Sequence, residues 1–159
     1  MTFASACMQV PALGGRCLPG LQALKAQDRQ HVTKERQTRL TVSVDIDSDL
    51  APEQPNAARW DYGIGCKQAD DELVHWVEVH PASGGSSLTE MANKLTWLQA
   101  WLRNSGLGKF QKRIVWVASG SSSYNARHPA IKALAAKGLH FAGGACPVVS
   151  HETSSFHSD

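Results

Sequence analysis

Two carboxylates on neighbouring β-type segments are the side chains in this sequence best placed to do chemistry. Asp61 lies in RWDYGIGC (59–66) and Glu78 in ELVHWVEVH (72–80). Side chains alternate faces along a strand, so Glu78 and His80 share a face with Trp76, while Asp61 shares one with Gly63 and Gly65. The charged, turn-like KQADD between the segments predicts an antiparallel hairpin. Pairing in that hairpin would bring Asp61 and Glu78 onto one face, within reach of one cation. Two carboxylates suit a hard divalent ion such as Mg²⁺, and the strand glycines would leave room beside it. Water on such a cation is a usable nucleophile, and the cation offsets charge developing on a phosphate. A third group, cationic or able to move a proton, would complete the apparatus. His80, two residues after Glu78, and Lys94, on the following helix, are the candidates. The expected cofactor is Mg²⁺ alone, with no organic group.

Each of these residues also has a purely structural explanation. Asp61 can pair with Arg59, and Glu78 can face outward from a half-exposed strand. His80 precedes Pro81 at a strand end, and Lys94 follows Glu90 at the favourable i, i+4 spacing. Other motifs fail on local grounds. DIDSD (45–49) opens like a calcium loop, but position 50 is Leu and the twelfth residue is Asn56, so it reads as a turn with local carboxylate caps. GSSS (120–123) lacks the lysine of a phosphate-binding loop and reads as a strand-to-helix connection. There is no G-x-S-x-G, and no two of Cys7, Cys17, Cys66 and Cys146 have zinc-knuckle spacing. The cysteines are expected as reduced, mostly buried thiols.

The elements that must position the pair follow from periodicity. Residues 1–20 read as an irregular leader and 21–37 as a helix carrying Lys25, Arg29, Lys34 and Arg36. LTVSVDID (40–47) is a strand, 48–58 a loop or short helical turn, and the hairpin follows. The clearest helix covers 88–106, with Ser87 and Glu90 at capping-box spacing, a stripe of Leu88, Met91, Leu95, Leu98 and Leu102, and Gly106 as its cap. KRIVWVAS (112–119) is a buried strand, Pro129 to Gly138 a helix, and LHFAGGACPVV a site for one last short strand. The expected architecture is an α/β three-layer sandwich around a mixed sheet of four to five strands, with a single domain over 21–149 and a flexible polar tail over 150–159.

An Asp on one strand of a hairpin (W-D-Y, 60–62), a Glu on the next (V-E-V-H, 77–80), then helix, strand and helix resembles the PD-(D/E)XK nuclease superfamily. The likeness spans roughly residues 21–145 in element order. It implies a restriction-endonuclease-like fold, with Asp61 and Glu78 as metal ligands and His80 where the family usually has lysine. It also implies that Lys94 takes the place of a lysine relocated to the helix, and that Glu35 serves as an additional acid on the first helix. The chain departs from the pattern in having Trp60 before Asp61, not proline, and His80 for lysine. The function this implies is metal-dependent cleavage of nucleic-acid phosphodiesters. The alternative is a catalytically inactive member acting as a protein-interaction or immunity-type module, with Trp97 and Trp101 as its partner surface.

Composition sets the outer bounds. The 159 residues are 42% hydrophobic and 19% charged, enough for one real core. The formal charge of +2 hides a pattern. Residues 1–44 sum to +4, 45–90 to −8 and 91–159 to +6. An acidic middle between basic flanks suits a cation site bordered by phosphate-binding residues, Lys25, Arg29, Lys34 and Arg36 on one side and Lys109, Lys112 and Arg113 on the other. No stretch reaches the roughly 18 apolar residues of a membrane span, and the opening has no charged signal-peptide start, so a cytoplasmic protein is expected.

Overall fold

A computed structural model describes residues 1–148; the tail expected over 150–159 lies outside the described residues. Along the chain run α1 (Phe3–Met8), β1 (Leu18–Pro19), α2 (Ala26–Arg29), β2 (Val32–Lys34), β3 (Leu40–Asp45) and α3 (Ile46–Leu50). They are followed by β4 (Tyr62–Gln68), β5 (Asp71–His80), α4 (Gly84–Ser105), β6 (Gln111–Ala118), α5 (Pro129–Ala136), β7 (Leu139–Phe141) and β8 (Cys146–Val148). The protein is α/β, with a mixed six-stranded sheet in the order β1-β3-β4-β5-β6-β7. This exceeds the expected four to five strands: β7 is the last short strand expected in LHFAGGACPVV, and the sixth strand is β1, two residues of the opening segment that add an edge beside β3.

β1, β3, β4 and β5 pair antiparallel, and β5, β6 and β7 pair parallel. Both parallel crossovers advance in the same direction, so crossovers of one hand put α4 and α5 on one face. There Leu95, Leu98, Ile131 and Leu134 bury Trp60, Val74, Trp76, Ile114 and Trp116. The opposite face, with Tyr62, Ile64, Val77, Val115 and Val117, is covered by Leu24, Val32, Cys146 and Val148.

That covering layer corrects the helix expected over 21–37. Only the four residues of α2 are helical, and β2 pairs in parallel with β8, Val32 opposite Cys146. The apolar periodicity fades after Ala26, leaving too little of a helical stripe to compete with a strand pairing made more than a hundred residues downstream.

The opening segment is not an irregular leader either. Thr2 caps α1, and Phe3, Cys7 and Leu13 are fully buried. The Phe3 ring meets Trp76 and Phe110 edge-on at 5.8 and 5.7 Å. The Phe3 amide donates to Glu72 Oε1 at 2.9 Å, and the Thr41 hydroxyl donates to Glu72 Oε2 at 2.8 Å. Glu72, the first residue of the expected strand 72–80, is thus a buried acid that ties α1 to the sheet.

α4 begins at Gly84, ahead of the expected capping box; Ser87 sits inside it and donates its hydroxyl to the Ser83 carbonyl at 2.8 Å. Its end at Gly106, with φ of +78°, is the left-handed cap that a glycine supplies without strain. Among the described residues, no helix is long and apolar enough to cross a membrane.

Candidate functional site

The hairpin register sets the two carboxylates side by side. Tyr62 pairs with Val77 and Gly63 with Trp76, so one further step puts Asp61 opposite Glu78. Trp60, fully buried, anchors the approach to β4 and leaves the next side chain at the strand's mouth. The Val79 amide donates to Asp61 Oδ2 at 3.0 Å, closing the hairpin end and fixing that carboxylate.

Glu78 is 2% exposed on the face covered by α4. Lys94 reaches it from the helix, with Nζ 3.1 Å from Glu78 Oε2 and a second hydrogen bond to the Arg59 carbonyl at 2.9 Å. The other oxygen, Glu78 Oε1, is buried without a hydrogen-bond partner among the described residues. Burial, and then the charge of Asp61, push the Glu78 carboxyl well above its ordinary range; Lys94 opposes the shift only in part. Burial likewise raises Asp61 to about 6, against the pull of the Val79 amide and Lys94.

The structural alternatives for these residues resolve one by one. Arg59 pairs with Asp47, Nε to Oδ1 at 3.0 Å, and not with Asp61. Glu90 pairs with His80, 2.7 Å from Nε2, which leaves Lys94 to Glu78. His80 Nδ1 lies 2.9 Å from the Pro81 carbonyl, so both of its ring nitrogens face oxygen acceptors and neither is bonded to the carboxylate pair. Glu35 is exposed just beyond β2, which packs on the other face of the sheet, because the helix expected to carry it does not form.

The strand glycines leave no room for an ion. A Cβ on Gly63 would stand 2.6 Å from the Trp76 ring, and one on Gly65 would stand 2.5 Å from Thr41 Oγ1. Their space belongs to the core. Asp45 caps α3 by accepting from the Ser48 amide, as the turn reading of DIDSD requires. Trp101 is buried edge-on to Trp76 and stacks on Trp97 at 5.7 Å, so a partner surface there reduces to the half-buried Trp97.

Cation fit rests on the Glu78–Asp61 pair. Among the described residues no three His, Cys, Asp or Glu side chains converge as a metal group. Two carboxylates are nonetheless the usual protein share of a Mg²⁺ site, whose remaining positions go to water and substrate phosphate. An unbonded buried carboxylate oxygen next to a second carboxylate is a donor set of that kind.

The second basic flank falls elsewhere. Lys109, Lys112 and Arg113 gather at the far end of β6: Arg113 pairs with His75, three residues or about 10 Å along β5 from Glu78.

No protein-family model matches the chain, and no curated protein or solved structure is detectably similar to it.

Proposed function

We propose that this chain is a metal-dependent, nuclease-like protein acting on phosphodiester bonds, with Asp61 and Glu78 as the cation-holding pair. The observation that carries this reading is the Glu78 carboxylate. It is buried beside a second acid, with one oxygen on Lys94 and the other without a hydrogen bond. Burying two adjacent carboxylates costs several kcal/mol unless positive charge compensates them, and one ammonium covers only part of that. A bound Mg²⁺ would supply the missing charge, neutralise a phosphate and make its water acidic.

The chain's own residues then have distinct tasks. Asp61, the more accessible carboxylate, is held by the Val79 amide and titrates near neutrality, so it can accept a proton at physiological pH. Lys94 keeps Glu78 oriented and brings an ammonium within reach of a phosphate oxygen at the α4 side of the hairpin. His80, engaged by Glu90 and Pro81, positions the end of β5. This arrangement gives the relocated-lysine reading more support than the His80 one.

The near-complete burial of Glu78 and the occupied ring of His80 favour a second reading, an inactive scaffold that binds without cutting. One assay separates them. Plasmid DNA and RNA are incubated with the protein in Mg²⁺ or Mn²⁺, alongside Asp61→Ala and Glu78→Ala variants whose folding is checked by circular dichroism. The expected result is cleavage by the parent protein, with a loss of about a thousandfold, some 4 kcal/mol of barrier, in either variant. Absence of cleavage, or equal cleavage by folded variants, overturns the enzyme reading.

A further inference from the structure

The end of the sheet remote from Asp61 and Glu78 holds a cleft of about 1240 Å³. It opens where β6 begins and β7 has not yet paired, between the C-terminal ends of α4 and α5. Five lining side chains are cationic: Arg103, Lys109, Lys112, Arg113 and Lys137. None is Asp or Glu. Four of them fall within residues 103–113, from the end of α4 to the start of β6, and the fold adds Lys137 from the end of α5.

A structural explanation would have these residues neutralise helix ends or pair with acids. Helix C-termini carry about half a negative charge each, so two helices offset about one of the five. Among the described residues, none of the five makes an ion pair; the ion pairs fall on Arg16, Arg59, His80 and Lys94. Lys112 donates to the Gly108 carbonyl, and Lys109 reaches Met1 Sδ, contacts that leave both charges in place. The surplus has a visible consequence inside the sheet. His75, at the floor of the cleft, is held down to about 4, first by burial and then by the charge of Arg113.

Beside the cations, Leu102, Ala142 and Pro147 form an apolar wall. Unpaired cations converging on one concavity, with an apolar surface alongside, match phosphates attached to a nucleoside.

We infer that this cleft is a second binding site, for a ligand bearing closely spaced phosphates on a nucleoside, either a free nucleotide or a nucleic-acid strand. It is independent of the carboxylate pair and stands whether or not the protein cuts phosphodiesters.

The test is equilibrium binding in EDTA, where no cation acts at Asp61 and Glu78. The probes are a fluorescent ATP analogue, inorganic tripolyphosphate and a single-stranded 15-residue oligothymidylate, at about 50 mM NaCl and again at about 200 mM. Saturable binding that weakens steeply with salt is expected. Removing two charges with Lys112→Ala plus Lys137→Ala, both exposed, is expected to weaken it at least tenfold, in line with the loss of two charge-assisted hydrogen bonds. Removing two charges elsewhere, with Lys67→Ala plus Arg127→Ala, both exposed and outside the cleft, is expected to change it less than twofold. ATP analogue binding displaced by tripolyphosphate identifies a nucleotide site; oligothymidylate binding that nucleotides fail to displace identifies a strand site. Absence of binding by all three probes, or equal weakening by the two double variants, overturns the inference. Cleavage is read in neither arm, so failure here and failure of the nuclease reading are separate outcomes.

Discussion

The two ends of the β5–β6 strand pair solve opposite electrostatic problems with the same backbone. At the end where Glu78 pairs with Trp116, two acids are drawn out of water and share one lysine. At the end where His75 pairs with Arg113, five cations line an open cleft with no acid among its described residues. Burial is the leading influence on the titratable group at each end, and the second influence is a like charge acting in the same direction: Asp61 raises Glu78, and Arg113 lowers His75. Each end therefore disfavours more of the charge it already holds. The lesson concerns medium. A buried pair answers to proton concentration and barely to salt, whereas an open cationic rim answers to salt and barely to protons.

The comparison breaks most readily at Lys94. Lys94→Met removes the ion-pair partner of Glu78 among the described residues and is expected to cost about 3 kcal/mol at pH 7.5, with the cost shrinking toward pH 5 as Glu78 takes up a proton instead. Urea unfolding at both pH values measures this, and Glu78→Gln in the same chain is expected to recover most of the loss. A cost below about 1 kcal/mol at pH 7.5 would class the pair with ordinary surface contacts.

Asp61 sharpens the comparison through the sign of its pH dependence. Its carboxyl rises from 3.8 to about 6 on folding, so the folded state holds the proton more tightly than the unfolded state does. Stability contributed by that proton is complete below pH 4 and is lost as pH rises through 6, by up to about 3 kcal/mol. Asp61→Asn is expected to flatten the urea-midpoint profile between pH 4 and pH 7.5; an unchanged profile would place the titration elsewhere.

The smallest effect belongs to the cationic end. Lys112→Ala plus Lys137→Ala is expected to stabilise the fold by about 0.5 kcal/mol at low salt through relief of like-charge repulsion, with the gain vanishing near 0.5 M NaCl. Thermal unfolding at the two salt concentrations checks it. A gain that persists at high salt would have another origin than charge.

What the sequence exposed and what it hid divide along the same axis. Alternation along 59–66 and 72–80 was enough to place Asp61 and Glu78 on one face, because strand parity is a local property. The stripe of α4 and its Gly106 cap were legible for the same reason. Lys94 was ambiguous. Helical spacing put Glu90 within its reach, and only the tertiary position of His80 takes Glu90 away. The 21–37 segment misleads because β8, its strand partner, lies beyond residue 145. Gly63 and Gly65 looked like space for a ligand, yet Trp76, Phe3 and Thr41 fill it, and single-residue composition cannot tell an open gap from an occupied one. The second basic flank was visible as charges, but its gathering at the wrong end of the sheet depends on how α4 and β6 are joined.

The contact between Phe3 and Glu72 has a consequence for the order in which the molecule is made. α1 is made well before the residues that bury it: its ring pocket includes Trp76 and Phe110, and its amide waits for Glu72. The apolar face of α1 therefore stays uncovered until synthesis has passed Phe110, and α1 docks only after the β4–β5 hairpin has been made.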